Sequence, residues 1–174
     1  VLLIRITGRL ITVPVTKIRW RYLKPIDSDH QQLLSTFESP DDLMEIEVTL
    51  LGTGVGIPHS GRAQAGLVVR ANEPLLFDCG AGALLRLGEA EISPLEIDVA
   101  LLTHLHLDHV SDLLALAKAR WLMGESRMEV FGPEGTEAWF ETVRGLYPYL
   151  EELDVSFSVV GPGDEFALKG LKIK

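Results

Sequence analysis

Four side chains able to bind a metal fall within six residues of one another: His104, His106, Asp108 and His109, in the run Thr103-His104-Leu105-His106-Leu107-Asp108-His109. In an extended segment, residues two apart point the same way, so His104 and His106 can converge on one point. Asp108 and His109 come where the chain turns into a helix and can be aimed at a neighbouring point. Imidazole nitrogens with one carboxylate are borderline ligands suited to zinc, with manganese or iron as alternatives. A lone histidine at a strand end is ordinarily a satisfied surface or core residue. Here three of the five histidines share one short pattern, which favours metal binding.

Other groups are weighed against this cluster. Gly52, Gly54 and Gly56 follow a strand, but a dinucleotide fingerprint needs its third glycine where Ile57 stands, and Pro58, Ser60 and Gly61 forbid an immediate helix. A tight loop packed beside the metal cluster is expected instead, with no organic cofactor. Asp78 ends a strand two residues before Gly80, where a carboxylate would cap the helix that follows. Cys79 is read as a buried thiol, since nothing cationic adjoins it in sequence to activate it. His59 and His30 are assigned no role.

The elements that must position these residues begin at Met44. Strands are expected at Glu45 to Leu51, Gly66 to Arg70 and Leu75 to Phe77, then a short helix from Ala81 to Leu87. The near-continuous apolar run Ile97 to Thr103 reads as a strand buried on both faces and delivers the cluster at its end. A helix from Val110 to Met123 is closed by Gly124. Arg127 to Phe131 is a strand, Glu134 to Arg144 a helix, and Val155 to Val160 and Phe166 to Ile173 finish as strands around a Gly-Pro-Gly turn. Val1 to Leu23 alternates and suits a hairpin and a third strand, and Ser28 with Gln31 matches the capping box of a short helix.

Length and charge bound the reading. The chain has 174 residues, 47% of them hydrophobic, enough for one domain with a sizeable core and against disorder. The net charge of −9 argues against a surface that grips nucleic acid everywhere, leaving room for a local basic patch. Residues 1–24 hold six bases and no acid, and residues 25–43 five acids and no base. This break, with Met44 opening a strand, makes residues 1–43 an expected upstream extension. One cysteine suits a reducing cytoplasmic setting. No apolar run approaches the ~20 residues that span a bilayer, so no membrane partner is expected.

The motif order carries a resemblance. Leu51-Gly52-Thr53-Gly54-Val55-Gly56-Ile57-Pro58, then Arg62, Leu76-Phe77-Asp78-Cys79-Gly80, the histidine cluster and Phe131-Gly132-Pro133 resemble the ribonuclease Z-like branch of the metallo-β-lactamase superfamily. The resemblance covers Met44 to the C-terminus and implies an α/β fold, an αββα sandwich, with residues 44–174 supplying about its first αβ half. It implies two zinc ions, one on His104 and His106 and the second on Asp108 and His109, with Asp108 also orienting or deprotonating the attacking water. Asp78 and Thr103 would stand behind the ligands and fix their orientation, and Arg62 would contact substrate phosphate; otherwise Arg62 is a solvated loop charge. The implied activity is phosphodiester hydrolysis by a metal-bound hydroxide, of the transfer-RNA 3′-end endonuclease type.

The sequence also departs from that pattern. Ser60 stands where a lysine is expected, and Ala63 follows Arg62. No histidine follows His109, and Asp112, Asp154 and Asp164 do not stand in the contexts of the later ligands. The remaining ligands and a cover for the sheet's second face are therefore expected from a homodimer or a complementary C-terminal half. Two other functions stay open: hydrolysis of a small ester, sulfate ester or lactam, and a non-catalytic half-domain acting as an interaction module.

Overall fold

The computed structural model describes residues 2–6, 9–13, 17–22 and 45–174. The strands are β1 (Leu2–Ile6), β2 (Arg9–Val13), β3 (Lys17–Tyr22), β4 (Glu45–Gly52), β5 (Gly66–Arg70), β6 (Pro74–Phe77), β7 (Val99–Leu101), β8 (Met128–Gly132), β9 (Val155–Val159), β10 (Phe166–Leu168) and β11 (Leu171–Ile173). The helices are α1 (Ala83–Glu89), α2 (Leu107–Val110), α3 (Leu113–Leu122) and α4 (Thr136–Gly145). Among the described residues they form a seven-stranded sheet in the order β3-β4-β5-β6-β7-β8-β9 and a four-stranded sheet in the order β1-β2-β11-β10. The short helix expected after Ser28 lies outside the described residues.

Strands β4, β5 and β6 are antiparallel, whereas β6, β7, β8 and β9 run parallel. A parallel neighbour needs a crossover, and α1, α3 and α4 lie in the three crossover connections. Every residue of β6 and β7 is buried because both faces of the sheet are covered. Leu76, Ala100 and Val130 point to the helices and join Leu87, Leu113, Leu116 and Phe140 in one core. Their alternates Leu75, Phe77, Val99 and Leu101 point to the other face and meet Leu171 and Ile173 of β11. That second face is thus covered here by the hairpin β10–β11, whose Phe166 stacks on Phe131 with ring centroids 5.4 Å apart.

Three elements differ from the sequence expectation. The apolar run Ile97 to Thr103 contributes only Val99–Leu101 as strand, because Ser93 and Glu96 form a capping box on a 3-10 turn, Pro94–Glu96, just before it. The last strand is two, since Lys169 (φ 49°) and Gly170 (φ 82°) make a two-residue hairpin turn of the kind that left-handed residues permit. The helix expected from Val110 starts earlier, at Leu107, and breaks at Ser111-Asp112. The break has a direct cause. The Asp108 and His109 carbonyls accept the Ala65 and Cys79 N–H groups at 3.1 and 2.7 Å, and Asp112 N–H donates to the Cys79 carbonyl at 2.9 Å. Helix hydrogen bonds at that level are replaced by bonds to the neighbouring turn.

One buried cation fastens the helix layer. Arg120, 1% exposed, donates from Nη1 to the Pro94 and Leu95 carbonyls at 2.9 and 2.8 Å and from Nη2 to Arg127 O at 2.8 Å. It thereby closes the C-terminal carbonyls of the 3-10 turn. Among the described residues no helix is long and apolar enough to cross a membrane.

Candidate metal centre

The cluster sits at the carboxyl ends of the parallel strands β6 and β7, where open α/β sheets leave a crevice. Asp78 directly follows β6 in a left-handed conformation (φ 54°), one that Asp tolerates better than most residues. It is 3% exposed and turned across the sheet edge by its N–H bond to the Leu101 carbonyl at 2.9 Å.

From there Asp78 organises the histidines. Its Oδ2 lies 2.7 Å from His109 Nδ1. Its Oδ1 accepts the Thr103 backbone N–H at 2.8 Å, and Thr103 Oγ1 lies 3.0 and 2.9 Å from the two carboxylate oxygens. The same Oγ1 is 2.9 Å from His104 Nδ1. Proton counting then settles the tautomers. A carboxylate only accepts, so His109 Nδ1 and the single hydroxyl proton of Thr103 both donate to Asp78. Thr103 Oγ1 is left as the acceptor for His104 Nδ1–H. In the neutral form each ring therefore carries its proton on Nδ1 and leaves Nε2 as the metal-binding nitrogen.

The three imidazole rings lie close together. The His104 ring centroid is 3.9 Å from that of His109 and 4.6 Å from that of His106. His109 Nε2 is 3.7 Å from Asp108 Oδ2. Burial, with His109 and His106 beside it, holds the His104 pKa below the ordinary histidine value, in favour of the neutral ring that a metal requires. The donor chemistry, imidazole Nε2 with one carboxylate, fits a zinc-type ion. The set is open: among the described residues no three His, Cys, Asp or Glu side chains close around one point.

The glycine loop packs beside this cluster as expected. A Cβ on Gly56 would stand 3.8 Å from the Asp108 carboxylate, so the loop passes in van der Waals range of it. A Cβ on Gly80 would fall 2.0 Å from the Asp108 carbonyl oxygen, which makes glycine obligatory where the two turns cross. Arg62 is exposed at the loop tip, and His59 beside it is exposed too.

The capping reading of Asp78 is overturned. The start of α1 is served by Asp112, whose Oδ2 accepts the Gly82 and Leu84 N–H groups at 2.9 and 3.1 Å. Sequence reasoning gave Asp112 no role, and its partners, 28 and 30 residues away, leave no local signal. Gln64 was missed likewise: its Oε1 accepts the Ala81 N–H at 3.2 Å and ties the loop to the turn before α1. Cys79 is fully buried, and burial pushes its thiol pKa well up, with Asp112 and Asp78 adding to the rise.

Residues 61–171 match the family described as the Metallo-beta-lactamase superfamily. Ribonuclease Z of Methanopyrus kandleri is 35% identical over 132 residues, which are 74% of this chain and 44% of that protein. Ribonuclease Z of a Mycobacterium species is 43% identical over 105 residues, 58% of this chain and 36% of that protein. The crystal structure of human tRNase Z, short form, superposes with a TM-score of 0.53 at 30% identity, covering 64% of this chain and 44% of that one. A metallo-beta-lactamase fold protein from Bacillus subtilis gives a TM-score of 0.59 at 21% identity, over 71% and 48% of the two chains, and supports the fold. The chain spans less than half the length of these curated relatives. With its layered αβ architecture and a histidine cluster at the strand ends, the chain belongs to the metallo-beta-lactamase superfamily, as a ribonuclease Z-like member.

Proposed function

We propose that residues 44–174 supply the first αβ layer of a metal-dependent hydrolase that cuts RNA phosphodiesters, of the transfer-RNA 3′-end endonuclease type. The observation that carries this reading is the pair of Nδ1 hydrogen bonds, His109 to Asp78 and His104 to Thr103, on two rings whose centroids lie 3.9 Å apart, which leaves Nε2 of each as the ligand nitrogen. His104, His106, Asp108 and His109 are the residues that would hold the metal, zinc or a similar divalent ion, two ions in the complete site. Such an ion would supply Lewis acidity, lowering the pKa of water to about 7 and polarising a phosphoryl oxygen.

The chain's own residues do the rest. Asp108 accepts a proton from water entering the crevice, and its side chain, 18% exposed, supports that role. Asp78 and Thr103 hold two histidines by their Nδ1 atoms and orient them. Arg62 reaches the phosphate backbone of the substrate from the loop tip. RNA is therefore the proposed partner, with a second copy or a complementary C-terminal half completing the ligand set, in a cytoplasmic setting.

The neutral Ser60 and Ala63 on either side of Gly61 and Arg62 favour one second reading, a smaller ester as substrate. Zinc-loaded protein is offered precursor transfer RNA with a 3′ trailer and, separately, p-nitrophenyl esters. Trailer removal that is abolished in His106→Ala supports the RNA reading. Ester turnover without RNA cleavage selects the second, and absence of bound zinc sinks both.

A further inference from the structure

Arg86 of α1 is 5% exposed, yet it reaches out of the helix layer to the glycine loop. Its Nη2 donates to the Gly61 carbonyl at 2.9 Å, and its Nη1 pairs with Glu89 Oε2 at 2.6 Å. Gly61 (φ 73°) is the left-handed residue of the tight turn His59 to Arg62, which Arg62 N–H closes on the His59 carbonyl at 3.2 Å. This turn is the tip of loop 52–65. The root of the loop is fixed elsewhere, by Gly54 N–H on Ala63 O at 2.8 Å and Ala65 N–H on Asp108 O at 3.1 Å.

The loop is therefore held at its root by Asp108 and the turn before α1, and at its tip by Arg86. Packing does not place the tip, because Ile57, Pro58, His59, Ser60 and Arg62 are all exposed. A charged donor on a carbonyl is among the stronger hydrogen bonds, and a nearly buried guanidinium is a rigid anchor. The same contact sets the Arg86–Glu89 ion pair directly behind the turn that carries Arg62.

We infer that Arg86 is a positioning residue for substrate binding: it holds the Gly61 carbonyl so that Arg62 is presented, in one fixed place at the loop tip, to a phosphate of the polynucleotide. Arg86 itself touches no substrate. For the identity of the substrate this rests on the RNA reading above; for the clamp it rests on the Arg86–Gly61 contact alone.

The test is a mutant cycle on the full chain with Arg62→Ala, Arg86→Met, Arg86→Lys and the double Arg62→Ala/Arg86→Met. Binding of a fluorescent precursor transfer RNA is followed by anisotropy across a salt series. One lost phosphate contact lowers the slope of log affinity against log salt by about 0.7 to 0.9, and Arg62→Ala and Arg86→Met are each expected to show that loss. The double variant binds no worse than either single one, and Arg86→Lys recovers at least half of the loss. Additive losses, or wild-type binding by Arg86→Met, overturn the inference. A second readout does not need RNA. Backbone order parameters at Ser60, Gly61 and Arg62 fall in Arg86→Met from about 0.85 to below about 0.6, while those of Leu76 and Ala100 stay put. If the wild-type protein binds no RNA, the functional reading fails; unchanged order at the turn then overturns the clamp as well, and increased motion there upholds it. If Arg86→Met loses order at Leu76 and Ala100, Arg86→Lys is decisive: wild-type order at the turn upholds the clamp, and a loosened turn overturns it.

Discussion

The Asp78 carboxylate and the His109 imidazole stand 2.7 Å apart, Oδ2 to Nδ1, although 31 residues separate them in the chain. The contact decides which nitrogen of His109 is available to a metal. Carboxylates behind metal histidines fix the tautomer and raise ligand basicity, and their loss typically costs about 10 to 100-fold in metal affinity. Asp78→Asn keeps the shape and the Thr103 N–H acceptor but removes the charge. Zinc competition with a chromophoric chelator should show that loss, with unchanged circular dichroism. Wild-type affinity in the variant would mean that Asp78 does not tune the site.

Gly80 tests how closely the turn before α1 must approach the histidine helix. An added Cβ would meet the Asp108 carbonyl oxygen at 2.0 Å and its carbon at 2.8 Å, backbone atoms that no rotamer change can move aside. Gly80→Ala is therefore expected to lower stability by about 1 to 3 kcal/mol, as overpacked sites do. It should also weaken zinc binding, since relief of the clash displaces Asp108. Urea unfolding and metal competition on one sample check both; a variant as stable as wild type would show that the two turns do not pack this closely.

What the sequence reveals and what it hides follows from the range of the interactions involved. That His104, His106, Asp108 and His109 gather at the end of β7 was legible because residue type and spacing are local properties of one segment. The parallel core was legible because β6 and β7 are apolar on both faces. The split between α2 and α3 was not, since it arises where the Ala65 and Cys79 N–H groups occupy the Asp108 and His109 carbonyls. For the same reason the cap of α1 was ascribed to nearby Asp78, whereas the fold brings Asp112 to it. Arg86 reads in sequence as an ordinary amphipathic helix residue, and only the folded chain sets it under Gly61.

Arg120 is predicted to be a stability determinant with no part in chemistry. Its buried guanidinium donates to the carbonyls of Pro94, Leu95 and Arg127 and so ties the 3-10 turn to the start of β8. A hydrogen bond made by a charged group contributes roughly 1.5 to 3 kcal/mol, and Met fills the volume without donating. Arg120→Met should lose about 2 to 4 kcal/mol in urea unfolding. Zinc affinity should be unchanged, because the metal cluster lies at the opposite, carboxyl ends of the strands. A loss of zinc affinity at unchanged stability would contradict this assignment.

Glu96 gives the fold a defined response to acid. The Arg70 guanidinium, 2.9 Å away, holds the Glu96 carboxyl below the usual carboxylate range, and the Ser93 N–H of the capping box adds to the effect. Because the folded pKa is lowered, the unfolded chain binds more protons between the folded value and the ordinary one of about 4.3, and stability rises with pH across that window. The contribution is complete above about pH 4.3 and is lost as pH falls through the folded value. The side chain is 39% exposed, so solvent screening limits the gain to less than about 1 kcal/mol. Glu96→Gln cannot ionise but still accepts from Ser93, so it isolates the charged part. Urea unfolding should show wild type more stable at pH 6, with the gap closing below pH 4. A gap that keeps the same size at both pH values would assign the effect to packing and not to the Arg70 ion pair.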